Sequence, residues 1–404
     1  MTARTGGVVF DNLEKLLEPC LPKNFLEECW GKTYVHVRGW PGKFSHLLPW
    51  DKLNEILKHH RLDHPRLRLI ESGKSLPVTS YLKHVTPARR KAPIPRLLPV
   101  SFTNQLRKGA TLVLDAVDEF YQPLEELAEA LELIFHERVQ INAYAGWRTS
   151  HGFDLHWDDH DVFILQVAGR KSWSVYAMTR AFPIAQDSEA AKRPDRQPLW
   201  TGMLEEGDLL YIPRGWWHVA KPLDEPTLHL TVGVHKRTGM DLLAWLTERM
   251  RAHEIFRQDL PRSPSQDERA EHMELLRQQL MAEWDATLLE RYFKEHDAMA
   301  EPRAHLSLPW SAAPDLLPAS DEARVRLLSP RPLKFEVRDE VVEFSCQRKL
   351  WRFREEALPV LRTLAEKRSC SIQELCDHAE GQLNRLTVRQ LLGELLAHGL
   401  IAVV

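Results

Sequence analysis

Between residues 139 and 235 the apolar positions of this chain recur mostly with period two. Val139-Gln140-Ile141-Asn142-Ala143-Tyr144-Ala145 alternates, which predicts a strand with Asn142 and Tyr144 on one face and Ile141 and Ala143 on the other. Val162–Val167 is an apolar run rich in β-formers and predicts a second strand. Lys171-Ser172-Trp173-Ser174-Val175-Tyr176 alternates again, and the intervening Ala168-Gly169-Arg170 predicts that these two strands form a hairpin. Trp200 to His218 reads as strands broken by a turn at Glu205-Glu206-Gly207-Asp208, and Leu228–Val234 as the last strand. Many short strands separated by turn signals predict a jelly-roll barrel.

On either side of this region the period is helical. Asp11–Leu17, with Asp11 as N-cap, Asn24–Trp30, Pro49–His59 and Pro123–His136 predict helices. Tyr34–Gly39, Arg66–Leu82 with a turn at Gly73, and Thr111–Asp115 predict strands. Pro87–Pro99, rich in Pro, Arg and Lys, reads as an exposed linker loop rather than a substrate-facing surface, and Ala181–Pro198 as a polar loop. After Gly239, Met240–Phe256 and Asp267–His296 predict helices, and Pro302–Ser320 a linker. Phe335–Val337 and Val341–Phe344 predict a hairpin, followed by helices over Glu355–Lys367, Ser371–Ala379 and Thr387–His398 and a strand over Leu400–Val404. Helices with a β-wing predict a winged-helix module. The expected organisation is mixed α and β. A jelly-roll barrel with N-terminal helices spans residues 1–239, a helical segment that packs on the barrel or dimerises, with a linker, 240–320, and a winged-helix-like domain 321–404.

Charge and cysteine content narrow the function classes. The 54 basic and 57 acidic side chains nearly cancel, to a formal net charge of −3, which argues against nucleic-acid binding by bulk charge. Asn384, Arg385, Arg389 and Gln390 are a sparse basic footprint, so nucleic-acid binding by the C-terminal module is not expected. The five cysteines are scattered, with no CxxC pair, which predicts reduced structural thiols. No signal-peptide core and no membrane-length apolar run is apparent, so a cytoplasmic protein is expected.

The candidate chemistry lies at His156-Trp157-Asp158, just before the apolar run. At strand spacing, residues two apart share a face, so one imidazole and one carboxylate can converge. His218 closes Gly207-Asp208-Leu209-Leu210-Tyr211-Ile212-Pro213-Arg214-Gly215-Trp216-Trp217-His218 and supplies a second imidazole. Two His and one carboxylate on one side of a metal suit non-haem Fe(II) and oxygen chemistry. Asp159, His160 and Asp161 read as bystanders that tolerate substitution better than the pair; His151 and Asp154 are further possible ligands. Lys171 shares the apolar face of its strand with Trp173 and Val175, and an inward Lys requires an acidic partner such as a bound ligand. Asn142 can reach the same cavity or be satisfied by backbone, and spacing leaves both readings open.

The stretches His156–Trp173 and Gly207–His218, together with Asn24-Phe25-Leu26-Glu27-Glu28-Cys29-Trp30-Gly31-Lys32, resemble the JmjC-type ribosomal oxygenases, a branch of the Fe(II)/2-oxoglutarate-dependent oxygenases of the cupin superfamily. The resemblance implies a double-stranded β-helix (jelly-roll) fold followed by a helical dimerisation segment and a winged helix, and it implies iron on His156, Asp158 and His218. It implies the distal carboxylate of 2-oxoglutarate on Lys171, with Asn142 near the cosubstrate and Thr231 as a further cosubstrate contact. It also implies consumption of O2, release of succinate and CO2, hydroxylation of a protein side chain (Arg or His of a ribosomal protein) and a homodimer. Lys at position 171 is similar to the eukaryotic branch, where bacterial members commonly carry Arg. The loops Trp147–Phe153 and Ala181–Pro198 match neither branch. Other readings are a hydroxylase tailoring a ribosomally made peptide natural product, a histone-type lysine demethylase, and a non-enzymatic cupin/winged-helix transcriptional regulator.

Overall fold

A computed structural model describes residues 13–86, 93–149, 152–185, 187, 192–262, 265–313 and 317–404. Asp11, the expected N-cap, and His151 lie outside the described residues, as do parts of the loops expected at 87–99 and 181–198. The chain forms two compact units, one ending at Lys236 and the other spanning Arg237–Val404.

The first unit is built on strands β1 (Val35–Val37), β2 (Leu67–Glu71), β3 (Lys74–Ser75), β4 (Leu82–Val85), β5 (Ile94–Leu97), β6 (Thr111–Leu114), β7 (Arg138–Gly146), β8 (Asp161–Ala168), β9 (Lys171–Tyr176), β10 (Trp200–Leu204), β11 (Leu209–Ile212), β12 (Trp217–Pro222) and β13 (Thr227–His235). A large sheet has the order β1-β11-β8-β13-β7-β6-β2-β3, and a small one β10-β9-β12. Neighbouring strands are antiparallel in both.

From β8 onward the chain changes sheet at nearly every turn. The turn at Gly169 is therefore a corner between sheets, and not the expected hairpin. β8 pairs with β11 and β13, and β9 with β10 and β12. Alternation assigns each residue a face but does not choose the strand's partner. The local chemistry does: Gly169 has φ +64°, and a Cβ there would sit 2.1 Å from the Pro226 carbonyl oxygen, against the entry to β13. The buried Gln166 amide donates to Thr227 Oγ1 at 2.8 Å and to the Ala168 carbonyl at 2.9 Å, fixing the same corner. This alternation between two facing sheets is the double-stranded β-helix.

β8 is buried on both faces. Phe163 and Leu165 join Phe25, Leu131 and Tyr211 in the core under the N-terminal helical layer. Phe25 meets Tyr211 edge-on, with ring centroids 4.9 Å apart. Val162 and Ile164 point the other way, into the space between the sheets with Trp173, Val175 and Leu204. Each such side chain contributes about 1.5–3 kcal/mol of burial, enough to lock the register of β8.

The helices Trp50–His59 and Gln122–Phe135 match the expected positions to within a residue. The expected strand Arg66–Leu82 resolves into β2, β3 and a short 3-10 turn before β4. Pro87–Pro99 is not all loop, because it contains β5, which pairs with β4. A helix over Pro99–Lys108 was not expected.

The second unit opens with helices Gly239–Met250, Gln266–Glu283 and Leu288–Met299; the long helix expected over Asp267–His296 is broken at Trp284. Further on, strands Arg324–Leu327, Ser369–Ser371 and Ile401–Val403 form one small sheet, and Glu336–Arg338, Val341–Cys346 and Lys349–Arg354 another. With helices Leu358–Lys367, Ile372–His378 and Arg385–Ala397 they enclose a core around Val325, Phe344, Leu361 and Leu392.

Candidate metal centre

His156 and Asp158 lie in the crossing that enters β8, not on a regular strand. His156 forms a single antiparallel bridge with His218 at the start of β12. The bridge has two reciprocal backbone bonds: His156 N–H donates to the His218 carbonyl at 3.2 Å, and His218 N–H to the His156 carbonyl at 2.8 Å. Gly215 N–H donates to the Asp158 carbonyl at 2.9 Å. The Pro213–Gly215 turn thus grips the crossing from the other side.

This clip brings the three side chains together. One ligand atom from each of His156, Asp158 and His218 lies within 4.8 Å of the others. His218 Nε2 is 3.4 Å from Asp158 Oδ2, and the imidazole centroids are 4.4 Å apart. His156 Nδ1 faces the Asp154 carbonyl at 2.8 Å, and His218 Nδ1 the Trp216 carbonyl at 3.1 Å. A carbonyl only accepts, so each Nδ1 carries the hydrogen and each Nε2 offers a lone pair. Asp154 therefore serves through its backbone carbonyl. Burial, and then the neighbouring His156, push the His218 imidazolium down to about 4, so His218 is a neutral donor at pH 7. Two nitrogens and a carboxylate on one side of a cavity are a donor set for a divalent first-row metal.

Lys171 is 4 % exposed and lines the same cavity of about 260 Å³. Among the described residues no carboxylate lies within ion-pair distance of it. Burial pushes its ammonium down to about 7. Val175 is opposite His218, and Lys171 opposite Pro222. The four-residue offset is roughly 13 Å of strand, which leaves room for a small molecule between Lys171 and the triad. The Trp173 indole N–H, Thr111 Oγ1 and His229 Nδ1 are buried in this cavity without a hydrogen-bond partner. A buried cation beside orphaned polar atoms fits a bound anion.

Asn142 and Thr231 face each other across β7 and β13 and both line the cavity. Asn142 Oδ1 is already committed, accepting from Ala116 N–H and Gln140 Nε2 at 2.9 Å each. Three wall residues were not singled out from sequence. Tyr144 stacks on His229 with centroids 4.9 Å apart, and burial raises its phenol. Arg68 grips Asp115 through both its Nε and a terminal nitrogen at 2.7–3.1 Å. Tyr144 and His229 carried a sequence signal, the strand faces they share with Asn142 and Thr231; Arg68 carried none.

Asp161 is not the bystander its position suggested. It is fully buried, accepts from the Tyr211 hydroxyl and from Arg214 N–H at 3.0 Å, and pairs with Lys236 Nζ at 2.7 Å. Its role is to hold β8, β11 and β13 together. Asp159 and His160 remain half-buried partners, with Oδ1 and Nδ1 2.9 Å apart.

Residues 117–242 match the family described as JmjC domain. The matched segment includes the His156, Asp158 and His218 cluster and Lys171. Among curated relatives, the bifunctional lysine-specific demethylase and histidyl-hydroxylase NO66 of Drosophila persimilis is 30 % identical over 227 residues, covering 56 % of this chain and 32 % of that protein. Ribosomal oxygenase 1 of Gallus gallus is 30 % identical over 229 residues, covering 55 % of this chain and 36 % of that protein. The chain spans about a third of the length of these two relatives. YcfD, a ribosomal oxygenase from Escherichia coli, shares the fold with a TM-score of 0.56 at 19 % identity, over 95 % of this chain and 98 % of that one. A structure of YcfD with cobalt and 2-oxoglutarate superposes with a TM-score of 0.55 at 19 % identity, over 94 % and 97 % of the two chains.

Proposed function

We propose that this protein is a JmjC-type Fe(II)- and 2-oxoglutarate-dependent oxygenase that hydroxylates a side chain of a protein, an Arg or His of a ribosomal protein. The observation that carries the reading is the pairing of a two-His, one-carboxylate cluster with a buried, unpartnered Lys171 in one cavity. The names of the relatives and the cobalt and 2-oxoglutarate bound by YcfD support it.

In this reading His156, Asp158 and His218 hold the iron, and Lys171 takes the distal carboxylate of 2-oxoglutarate. Asn142 and Thr231 flank the cosubstrate. When bound, iron and 2-oxoglutarate supply activation of O2 for C–H hydroxylation, with succinate and CO2 as coproducts. The chain's own contribution is position and exclusion. The Nδ1 bonds to carbonyls fix both imidazoles, and Trp173, Val162 and Ile164 wall the cavity against water. Arg68 stands at the cavity wall with its charge matched by Asp115, so it adds no free cation beside Lys171.

We also propose the division into a catalytic region 1–239, a helical dimerisation segment 240–320 and a winged-helix-like domain 321–404. Helix Gln266–Glu283 buries no side chain, and Met240, Leu243, Met273 and Met281 are exposed apolar groups suited to a homodimer contact. No described helix is long and apolar enough to cross a membrane, which fits the proposed cytoplasmic location.

The test is anaerobic calorimetry with Mn(II) and 2-oxoglutarate, then incubation with Fe(II), O2 and ribosomal proteins. The expected result is metal-dependent 2-oxoglutarate binding, and a one-oxygen mass gain on a ribosomal protein that is lost in His156→Ala. Absence of cosubstrate turnover with every ribosomal protein would overturn the substrate assignment.

A further inference from the structure

The near-neutral total hides a segregated charge. Between Lys58 and Lys108 the chain has twelve Lys and Arg and only two acidic residues, Asp63 and Glu71, although its formal net charge is −3. Those of them among the described residues belong to the first unit and lie outside the metal cavity, Arg68 excepted. The end of helix Trp50–His59, strand β5 and helix Pro99–Lys108 enclose a groove of about 630 Å³.

The groove has two kinds of wall. Leu57, Leu62, Leu67, Leu97 and Phe102 form an apolar floor. Lys58, His59, His60, Arg61 and Arg96 stand exposed around it. Among the described residues, Lys58, Arg61 and Arg96 have no acidic partner. Asp63 is committed to His84, with Oδ2 to Nε2 at 2.9 Å.

A second observation comes from strand register. Lys83 of β4 lies directly opposite Arg96 of β5, and both are exposed. Like charges directly opposite weaken an antiparallel pair. A short two-stranded sheet that keeps such a pair on its open face presents it to an external anion.

We propose that this groove binds single-stranded RNA. An apolar slot takes a base or ribose, and the flanking cations neutralise successive phosphates. The spacing of cations around an apolar floor favours a polymer with alternating apolar and anionic parts over a free anion. The surface is separate from the metal centre, so RNA binding stands or fails independently of the oxygenase reading.

The experiment is fluorescence anisotropy of a labelled single-stranded RNA with the full chain over a salt series, for the wild type and for Lys58→Ala/Arg61→Ala/Arg96→Ala. The expected result is salt-sensitive binding, weakened at least tenfold in the triple variant. The slope of log K against log salt should fall by about 2, three phosphate contacts at about 0.7 each. An unchanged thermal midpoint and unchanged Mn(II) binding in the variant establish that it is folded. A second variant, Lys83→Glu/Arg96→Glu, should weaken binding further by repulsion. No RNA binding at low salt, or binding unaffected by either variant, overturns the proposal. Tighter binding of a poly-glutamate peptide than of RNA also overturns it, and assigns the groove to an acidic protein.

Discussion

Replacing Lys171 by Met should make the unliganded protein more stable and at the same time remove 2-oxoglutarate binding. The Lys171 ammonium lies at about 7 against an ordinary 10.5. In the unfolded chain the residue is protonated up to pH 10.5. Between pH 7 and 10.5 the unfolded state therefore binds more protons than the folded one, and stability rises with pH across that window. Below pH 7 the burial cost is fully present, on the order of 4–5 kcal/mol for a depression of this size at 1.36 kcal/mol per pH unit. Met has a similar length and no charge, so Lys171→Met should stabilise the metal-free protein by a few kcal/mol at pH 7, and by little at pH 10. Urea unfolding at the two pH values reads this directly. Binding shows the opposite dependence in the wild type. The distal carboxylate requires the protonated amine, so affinity for 2-oxoglutarate should be flat below pH 7 and fall towards tenfold per unit above it. A 2-oxo acid lacking the distal carboxylate should show no such slope with the same metal. Lys171→Met that is less stable than the wild type at pH 7, or a wild-type affinity independent of pH from 6 to 9, would refute the reasoning. Either would mean that Lys171 is paired within the protein.

The other expectations are simpler. His218→Ala and His156→Ala should each weaken Mn(II) binding by at least about 100-fold in calorimetry, since two remaining donors hold a divalent ion poorly. Asp161→Ala should cost about 3–5 kcal/mol in urea unfolding, because it strands the Lys236 ammonium and the Tyr211 hydroxyl, whereas Asp159→Asn should cost under about 1 kcal/mol. Gly169→Ala should destabilise by more than about 1 kcal/mol, through positive φ and the clash with the Pro226 carbonyl, and this appears as a lower thermal midpoint.

Local pattern carried much of the fold because the barrel strands are short and sharply bounded. Alternation placed Lys171, Trp173 and Val175 on one face, and the structure buries all three. Pairing was not legible in the same way. Whether the strand after Gly169 folds back on β8 or crosses to the other sheet depends on Pro226, nearly 60 residues away, and no local period encodes that contact. Helix Pro99–Lys108 did carry a signal, with Pro at its first turn, Phe102 and Leu106 four apart, and Gly109 in the left-handed region after it. At the site, the two-residue spacing brought out His156 and Asp158, and the aromatic-rich turn brought out His218. His229 was legible through the face it shares with Thr231 two residues on, whereas Arg68 was invisible because β2 reaches the cavity only through its pairing with β6. Asp161 was misread because adjacency to the pair suggested redundancy, while its partners come from positions 211, 214 and 236.

The reciprocal backbone bridge between His156 and His218 has a consequence for the order of events as the chain is made. The two residues are 62 positions apart, and their contact is held by main-chain bonds that need no ion. Donors this distant in sequence meet only after β8 to β12 have closed around the core, so the donor set is complete only once the chain has been made through His218.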